Sequence, residues 1–442
     1  MTNRMNRREF LETSGKAALG VGLGVSAANA LATPTYAEEA KAPPSEKILV
    51  GFIGTGGMGM ANLHGFMGHS EVEVAAVCDV DSKRLGRAIV AVEKRYGRKP
   101  MFSKDFRHVL DMKEIDAVVI STPDHWHALP FINACEAGKD VFVEKPISHN
   151  IVEGQSMVGA AKRFGRVAQV NTWQRSVQHY INAIEFVRSG KMGKISICRT
   201  WTCGGAGVGR QEPQDPPREL DWDFWLGPAP YVRYRPNRCH GSFRWFFDYA
   251  GGLTGDWGVH MVDIVLLGMN EWHPLEVASY GGKLIAGEDD DRTTPDTQMT
   301  IFKFPGFVMN WEVHVGGDGL DGGGHHGAEF IGEKGRLIVD RGGINWKPFD
   351  GDQEGPGNER PGGSHIHDFL ENIKSRGKCR SDIESMHYTT TACHLANLAY
   401  LHGKSIKWDG KKGVVVGDRK AMDVLCYRRE YRKPWKLPMY KM

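Results

Sequence analysis

"KILVGFIGTGGMGMANLHGFMG", residues 47–68, opens as a short apolar run rich in β-branched residues. It passes through Gly54-Thr55-Gly56-Gly57-Met58-Gly59 and goes on as a helical pattern. Strand, glycine turn and helix in that order are the setting in which G-x-G-x-x-G binds a dinucleotide. Gly54 and Gly56 permit a tight turn and close backbone approach to a pyrophosphate, with Gly57 and Met58 completing the loop. Gly59 lets helix and strand pack, and the helix N-terminus supplies N–H donors and positive dipole. Asp79 ends the second strand, "VEVAAVCDV", 20 residues after Gly59. A carboxylate there accepts from ribose hydroxyls and repels a 2′-phosphate, so NAD is expected over NADP; Lys83 and Arg84 are the cations that NADP could use.

Working outward, short apolar runs alternate with helical stretches from 47 to 170, ending in "KDVFVEKP", "IVEGQSMVGAAKRFG" and "RVAQVNT". That alternation predicts βαβ units and a parallel Rossmann sheet. Residues 171–442 read as a second, α+β domain for substrate binding and oligomerisation. A helix, "SVQHYINAIEFVRSG", precedes a strand, "KISICRTW", and an aromatic, Pro-rich region. "DTQMTIFKFPGFVMNWEVHV" is a hairpin around Pro-Gly, and "HGAEFIGEKGRLIVDRGG" is a second one turning at Glu333–Gly335. Such patterning predicts an open-faced, mostly antiparallel sheet, after which the chain returns to helix.

Before the first strand, "NRREFLETSGKAALGVGLGVSAANA" (6–30) pairs Arg7 and Arg8 with a mild apolar stretch too short to span a bilayer. Residues 1–37 read as a twin-arginine export signal, and 38–46 as a polar linker. A periplasmic or otherwise extracytoplasmic protein is expected, with no membrane span. The net charge is +3 with no basic run, so nucleic acid has no electrostatic footprint. The eight cysteines show no metal spacing. They read as buried thiols, although export would permit pairing among Cys198, Cys203 and Cys239. No metal site is expected: His325 and His326 fall in a flexible glycine loop, and "EDDD" (288–291) reads as a solvated acidic loop.

Three further stretches carry chemistry. "STPDHWH" (121–127) and "VEKP" (143–146) follow the fourth and fifth predicted strands, whose carboxyl ends face the ligand crevice of a doubly wound sheet. Lys145 then faces the cofactor, unless it is a solvated lysine at a strand end. In "GGLTGDWGVHMVD" (251–263), Asp256 and His260 are four apart and share a helical face. A carboxylate beside an imidazole tunes a general base; taken alone, the pattern also suits a helix cap with a core histidine.

Taken together, "GFIGTGGMG", "CDVD", "STPDHWH", "VEKP", "LDWDFWLGPAP", "GDWGVHMVD", "FIGEKGRLIVDRGG" and "PWKLP" resemble the glucose–fructose oxidoreductase/inositol dehydrogenase/rhizopine-catabolism (Gfo/Idh/MocA) family across nearly all the chain after the signal. The resemblance implies a Rossmann domain, a C-terminal open-faced sheet, and a catalytic set of Lys145, Asp256 and His260. It implies that His260 takes a hydroxyl proton while Lys145 steadies the oxygen and Asp256 orients or buffers the pair. It also places Thr122, Pro123, His127, Glu144, Lys145, Gln174 and Arg175 at the cofactor. Trp173 and Leu253 depart from the usual pattern, so substrate preference does not carry over.

Of the 12 tryptophans, Trp126, Trp173, Trp201, Trp245 and Trp257 fall near the expected cleft. Indole faces suit sugar C–H groups, with Tyr180, Arg244, Arg175, Asp248 and Tyr249 as polar partners. The expected activity is NAD-dependent oxidation of a sugar or glycoside hydroxyl, such as that at C3, with the cofactor held captive because free NAD is scarce outside the cytoplasm. The alternative is NAD-dependent glycoside cleavage by transient C3 oxidation, elimination and water addition, with Tyr180, His179 or His260 as the added base. A non-catalytic sugar-binding protein is the third reading, disfavoured by the intact Lys/Asp/His set. A homodimer or tetramer is expected by analogy.

Overall fold

The computed structural model describes residues 47–442 apart from Ala206, 317–323 and 360–362; the expected export signal and linker lie outside the described residues. The chain runs β1 (Ile48–Ile53), α1 (Gly57–Met67), β2 (Val72–Cys78), α2 (Ser82–Tyr96), β3 (Met101–Ser103), α3 (Phe106–Leu110), β4 (Ala117–Ile120), α4 (Ala128–Glu136), β5 (Asp140–Val143), α5 (Ile151–Arg163) and β6 (Ala168–Val170). The strands form one parallel sheet in the order β3-β2-β1-β4-β5-β6. The order reverses between β1 and β4, and this opens the crevice at their carboxyl ends. These strands are buried on both faces, which is why they read as continuous apolar runs rather than alternating ones.

The second region comprises α6 (Gln178–Arg188), β7 (Ile195–Cys203), α7 (Trp222–Leu226), α8 (Val259–Met269), β8 (Glu276–Gly282), β9 (Thr297–Lys303), β10 (Val308–His314), β11 (His326–Gly332), β12 (Gly335–Asp340) and β13 (Gly343–Pro348). It ends with α9 (His365–Ser375), α10 (Ile383–His402), β14 (Ile406–Asp409) and β15 (Val414–Val415). Its sheet runs β13-β12-β11-β7-β10-β9-β8-β14-β15. Neighbours are antiparallel except β7 and β10, because β7 sits between the two hairpins and faces one of each sense. Strand β9 alternates buried Gln298, Thr300 and Phe302 with exposed Met299, Ile301 and Lys303. The inner face packs Phe302, Met309, Trp311 and Phe330 on helix residues such as Val262, Leu266 and Leu395; the other face is open.

Part of the second region returns to the first. Phe369, Leu370 and Ile373 of α9 share a core with β1, β2 and α1. Trp435 meets Trp126 edge-on at 4.9 Å. The tail crosses α5 at Gly159, where a Cβ would come within 2.6 Å of the Lys441 carbonyl oxygen.

All eight cysteines are buried free thiols. Of the "EDDD" stretch, Glu288 and Asp289 are exposed as expected, but Asp290 and Asp291 are not solvated. Asp290 is buried, accepts from the Val208 amide at 2.7 Å and pairs with Arg292 at 3.1 Å; Asp291 accepts from the Gln211 amide and pairs with Arg235. The irregular 207–211 segment has backbone donors that no sheet satisfies, and these carboxylates take up those of Val208, Gly209 and Gln211.

Candidate active site

The crevice between β1 and β4 continues into a cleft of about 510 Å³. Its floor is the glycine loop. Gly54 has φ +87°, and a Cβ there would lie 2.7 Å from the Ser121 carbonyl oxygen. A Cβ on Gly59 would fall 2.0 Å from the Gly54 carbonyl oxygen, so α1 can pack on β1 only with glycine at that position. Gly56 starts α1 with no side-chain cap, which leaves the first amides of the helix to a ligand. Asp79 accepts from the Thr55 amide at 2.8 Å and the Asp81 amide at 2.9 Å, so it ties the second strand to the loop. A carboxylate retains acceptor capacity beyond these bonds. The bare glycine cradle, uncapped helix and carboxylate fit a dinucleotide. Met58 lies at the mouth, half exposed, beside Gly57. The Arg84 guanidinium overlies Gly56, while Lys83 is paired with Glu219.

Thr122, Pro123, Glu144 and Lys145 line the same cleft. The His127 ring nitrogens lie 2.7 Å from the Pro146 carbonyl oxygen and 2.8 Å from that of Thr122, so one imidazole joins the two loops. Burial pushes His127 down to about 4, so the neutral ring donates to one of these two carbonyls and only packs against the other. Glu144 accepts from the side-chain amides of Asn62 at 2.8 Å and Asn171 at 2.7 Å.

Lys145 donates to the Asp256 carboxylate at 2.5 Å and to its carbonyl oxygen at 2.9 Å. Arg244 donates to the other carboxylate oxygen at 3.2 Å. Lys145 and Arg244 hold Asp256 well below the usual carboxylate range against its burial. The residue sits on a single π-helical turn, Thr254–Gly258, that runs straight into α8; such widened turns recur at functional sites. His260, one turn on, is buried, and its Nδ1 has no hydrogen-bond partner among the described residues. Burial, then the charges of Lys145 and Arg341, push its pKa well below normal, and the imidazole is neutral. Asp256 is therefore bonded to Lys145 and Arg244 and reaches His260 only through its field.

One neighbour was not anticipated. Asp124, inside "STPDHWH", is buried in the cleft wall. Burial and the nearby Asp256 charge raise it from 3.8 to about 8. No sequence signal separates it from a solvated aspartate after proline.

Other expected residues are spent elsewhere. Arg175 forms a buried two-pronged pair with Asp263 at 2.8 and 2.6 Å and also donates to Ser385. Removing it would strand a buried carboxylate at a cost of about 3–5 kcal/mol, so its place is in the core. Asp248 and the Tyr249 hydroxyl both pair with Arg238. Trp245 packs on the sheet core under the Arg292 guanidinium. Trp126 is cleft wall: its indole donates to the Trp225 carbonyl oxygen at 2.8 Å. Its ring lies against Gly227, where a Cβ would fall 2.0 Å from it. Gln174 and Tyr180 are buried side by side, with the His179 ring tilted at 34° and 4.4 Å from the Tyr180 ring. Trp173 and Trp257 flank Arg341 on the His260 side.

A Rossmann crevice walled on its far side by the π-turn and the 224–244 segment of the second region, with a lysine–aspartate pair and a neutral histidine beside it, defines a two-domain, dinucleotide-dependent oxidoreductase architecture. Residues 48–172 match the oxidoreductase family with an NAD-binding Rossmann fold (Gfo/Idh/MocA), and 177–283 match that family's C-terminal α/β domain. Together they take in just over half of the chain, which belongs to this family.

Similar proteins include a glycosyl hydrolase family 109 protein of Shewanella pealeana, 30% identical over 203 residues, 43% of this chain and 44% of that protein. An alpha-N-acetylgalactosaminidase of Shewanella oneidensis is 28% identical over 205 residues, 44% of this chain and 45% of that protein. The chain thus spans less than half the length of these relatives. In fold it is similar to levoglucosan dehydrogenase in complex with NADH (TM-score 0.62, 19% identity, 82% of this chain and 99% of that one). It is also similar to the WlbA dehydrogenase of Chromobacterium violaceum in complex with NADH and UDP-GlcNAcA (TM-score 0.61, 17% identity, 83% and 98%).

Proposed function

We propose that the protein oxidises a hydroxyl of a sugar or glycoside, C3 being the candidate position, with tightly held NAD. The observation that carries this reading is the Lys145–Asp256 pair in the same cleft as the glycine cradle, with neutral His260 beside it. The glycine loop, the α1 N-terminus, Asp79 and the Thr122–Pro123 segment would hold the dinucleotide; when bound, it supplies the hydride acceptor. Lys145 spends two donors on Asp256, and an ammonium has three. The third is directed to the substrate oxygen, where it stabilises developing negative charge. His260, neutral and one helical turn from Asp256, accepts the hydroxyl proton. Asp256 holds Lys145 in place and balances its charge.

Lys145→Ala and His260→Ala are expected to retain NAD but lose about 10²–10⁴-fold in turnover; near-normal rates in either variant overturn the assignment. The expected twin-arginine export supports a captive cofactor. Denaturing the purified protein should then release stoichiometric NAD(H), whereas an empty protein argues for ordinary exchange.

Glycoside cleavage is the second reading. It is favoured by similarity to the Shewanella relatives and by Asp124, whose carboxyl keeps its proton near neutrality and could donate it to a leaving group. Nitrophenol release from p-nitrophenyl N-acetyl-α-D-galactosaminide with no NAD added supports cleavage; NADH accumulation from the parent sugar supports oxidation. The open sheet face, which exposes Ile197, Tyr280, Met299, Ile301 and Val308, supports a homo-oligomer.

A further inference from the structure

Arg341 occupies the turn between β12 and β13. Its guanidinium carbon lies 4.9 Å from the Trp173 ring centre and 4.4 Å from that of Trp257. The Trp257 ring in turn lies 6.1 Å from the His260 imidazole and 4.3 Å from that of His326. Strand turn, π-turn, the segment after β6 and the start of β11 thus place a fixed cation one aromatic ring away from the candidate base. Trp173 is 36% exposed, and the cluster opens to solvent.

The cation is not matched by an anion. Among the described residues no carboxylate lies within ion-pair distance of Arg341, and its Nε is buried without a hydrogen-bond partner. Arg175, Arg235, Arg238 and Arg244 in the same half of the chain are each paired with an aspartate. Two indole faces attract and flatten the guanidinium but do not use its in-plane N–H donors. Burial outweighs the attraction of Tyr180 and Asp256 and lowers the Arg341 pKa. A neutral sugar needs no such group; a planar, partly desolvated guanidinium with open donors suits a two-pronged oxyanion.

Building on the sugar-oxidoreductase reading, we propose that Arg341 receives an anionic substituent of the substrate, so that this site takes acidic sugars, carboxylated or sulfated, in preference to neutral ones. The test is calorimetric titration of the NAD-loaded protein with D-glucuronate, D-glucose 6-sulfate and D-glucose, repeated with Arg341→Gln and Arg341→Lys. At least one anionic sugar should bind about tenfold or more tighter than glucose, as one charge-assisted contact provides. Arg341→Gln should abolish that margin, and Arg341→Lys should keep part of it; the glucuronate and sulfate arms tell which anion is preferred. Equal binding of all three sugars, no binding of any, or a preference that survives Arg341→Gln overturns the proposal. NADH absorbance read in the same samples separates the two ideas. Anion preference without NADH removes the oxidation reading and leaves the subsite. NADH from glucose, unaffected by Arg341→Gln, supports oxidation and removes the subsite.

Discussion

Asp124 shows how far a single residue's chemistry depends on its surroundings. The unfolded chain titrates this carboxyl near 3.8 and the folded chain near 8. Between those values the folded state alone keeps the proton, so stability from this group is full below about pH 3.8 and is lost as pH rises through 8. Asp124→Asn removes the burden. We expect its melting temperature at pH 8 to exceed that of the parent, with the difference vanishing near pH 4. Equal melting curves at both pH values would mean that Asp124 is ionised in the folded protein. Lys145 is different: its strand-end position before proline was readable in "VEKP". What could not be read is its bond to Asp256, 111 residues away.

Among elements, the β1–turn–α1 unit is the most completely written into the local sequence. Gly59 answers to Gly54 five residues earlier, where its Cβ would clash with backbone rather than with a mobile side chain, while Gly54 is held by the Ser121 backbone after β4. Gly59→Ala should therefore displace α1 from β1 and cut NAD affinity by about tenfold or more, since the helix N-terminus no longer meets the pyrophosphate. Fluorescence titration with NADH reads this directly, and parental affinity would show that the loop relaxes without cost. The helix after Gly251 was equally legible, but its π-turn was not. That turn alters which neighbour Asp256 faces, and Lys145 and Arg244 hold it from other elements. The second half of "EDDD" misleads for a similar reason: Asp290 and Asp291 look solvated, while the backbone donors they take up lie about 80 positions earlier.

At the scale of the molecule, the second sheet covers one face with α6, α8 and α10 and leaves the other bare. Ile197 pairs with Val308 and Met299 with Tyr280, and Ile301 is exposed between them, so apolar side chains meet solvent on this face beside Lys303, Asn310 and Glu312. Ile301→Glu should shift the light-scattering mass to a smaller species while leaving NAD binding intact. An unchanged mass would place the subunit contact elsewhere or nowhere. The returning α9 and tail pack on the Rossmann core rather than under the second sheet, an arrangement no linear reading of the boundary at 170 reveals.

By itself the sequence determined the Rossmann unit, the two hairpins and the helices around them, while Lys145, Asp256 and His260 enter as a candidate set through resemblance to the family. Periodicity, turn residues and glycine spacing are properties of neighbours along the chain. Only the tertiary structure decided that Arg175 belongs to a buried pair, that Asp124 keeps its proton, that Arg341 lies between two indoles with no carboxylate partner among the described residues, and that the eight thiols stay apart. Each of these depends on the desolvation and charge contributed by residues far away in sequence, and burial is a property of the assembled molecule.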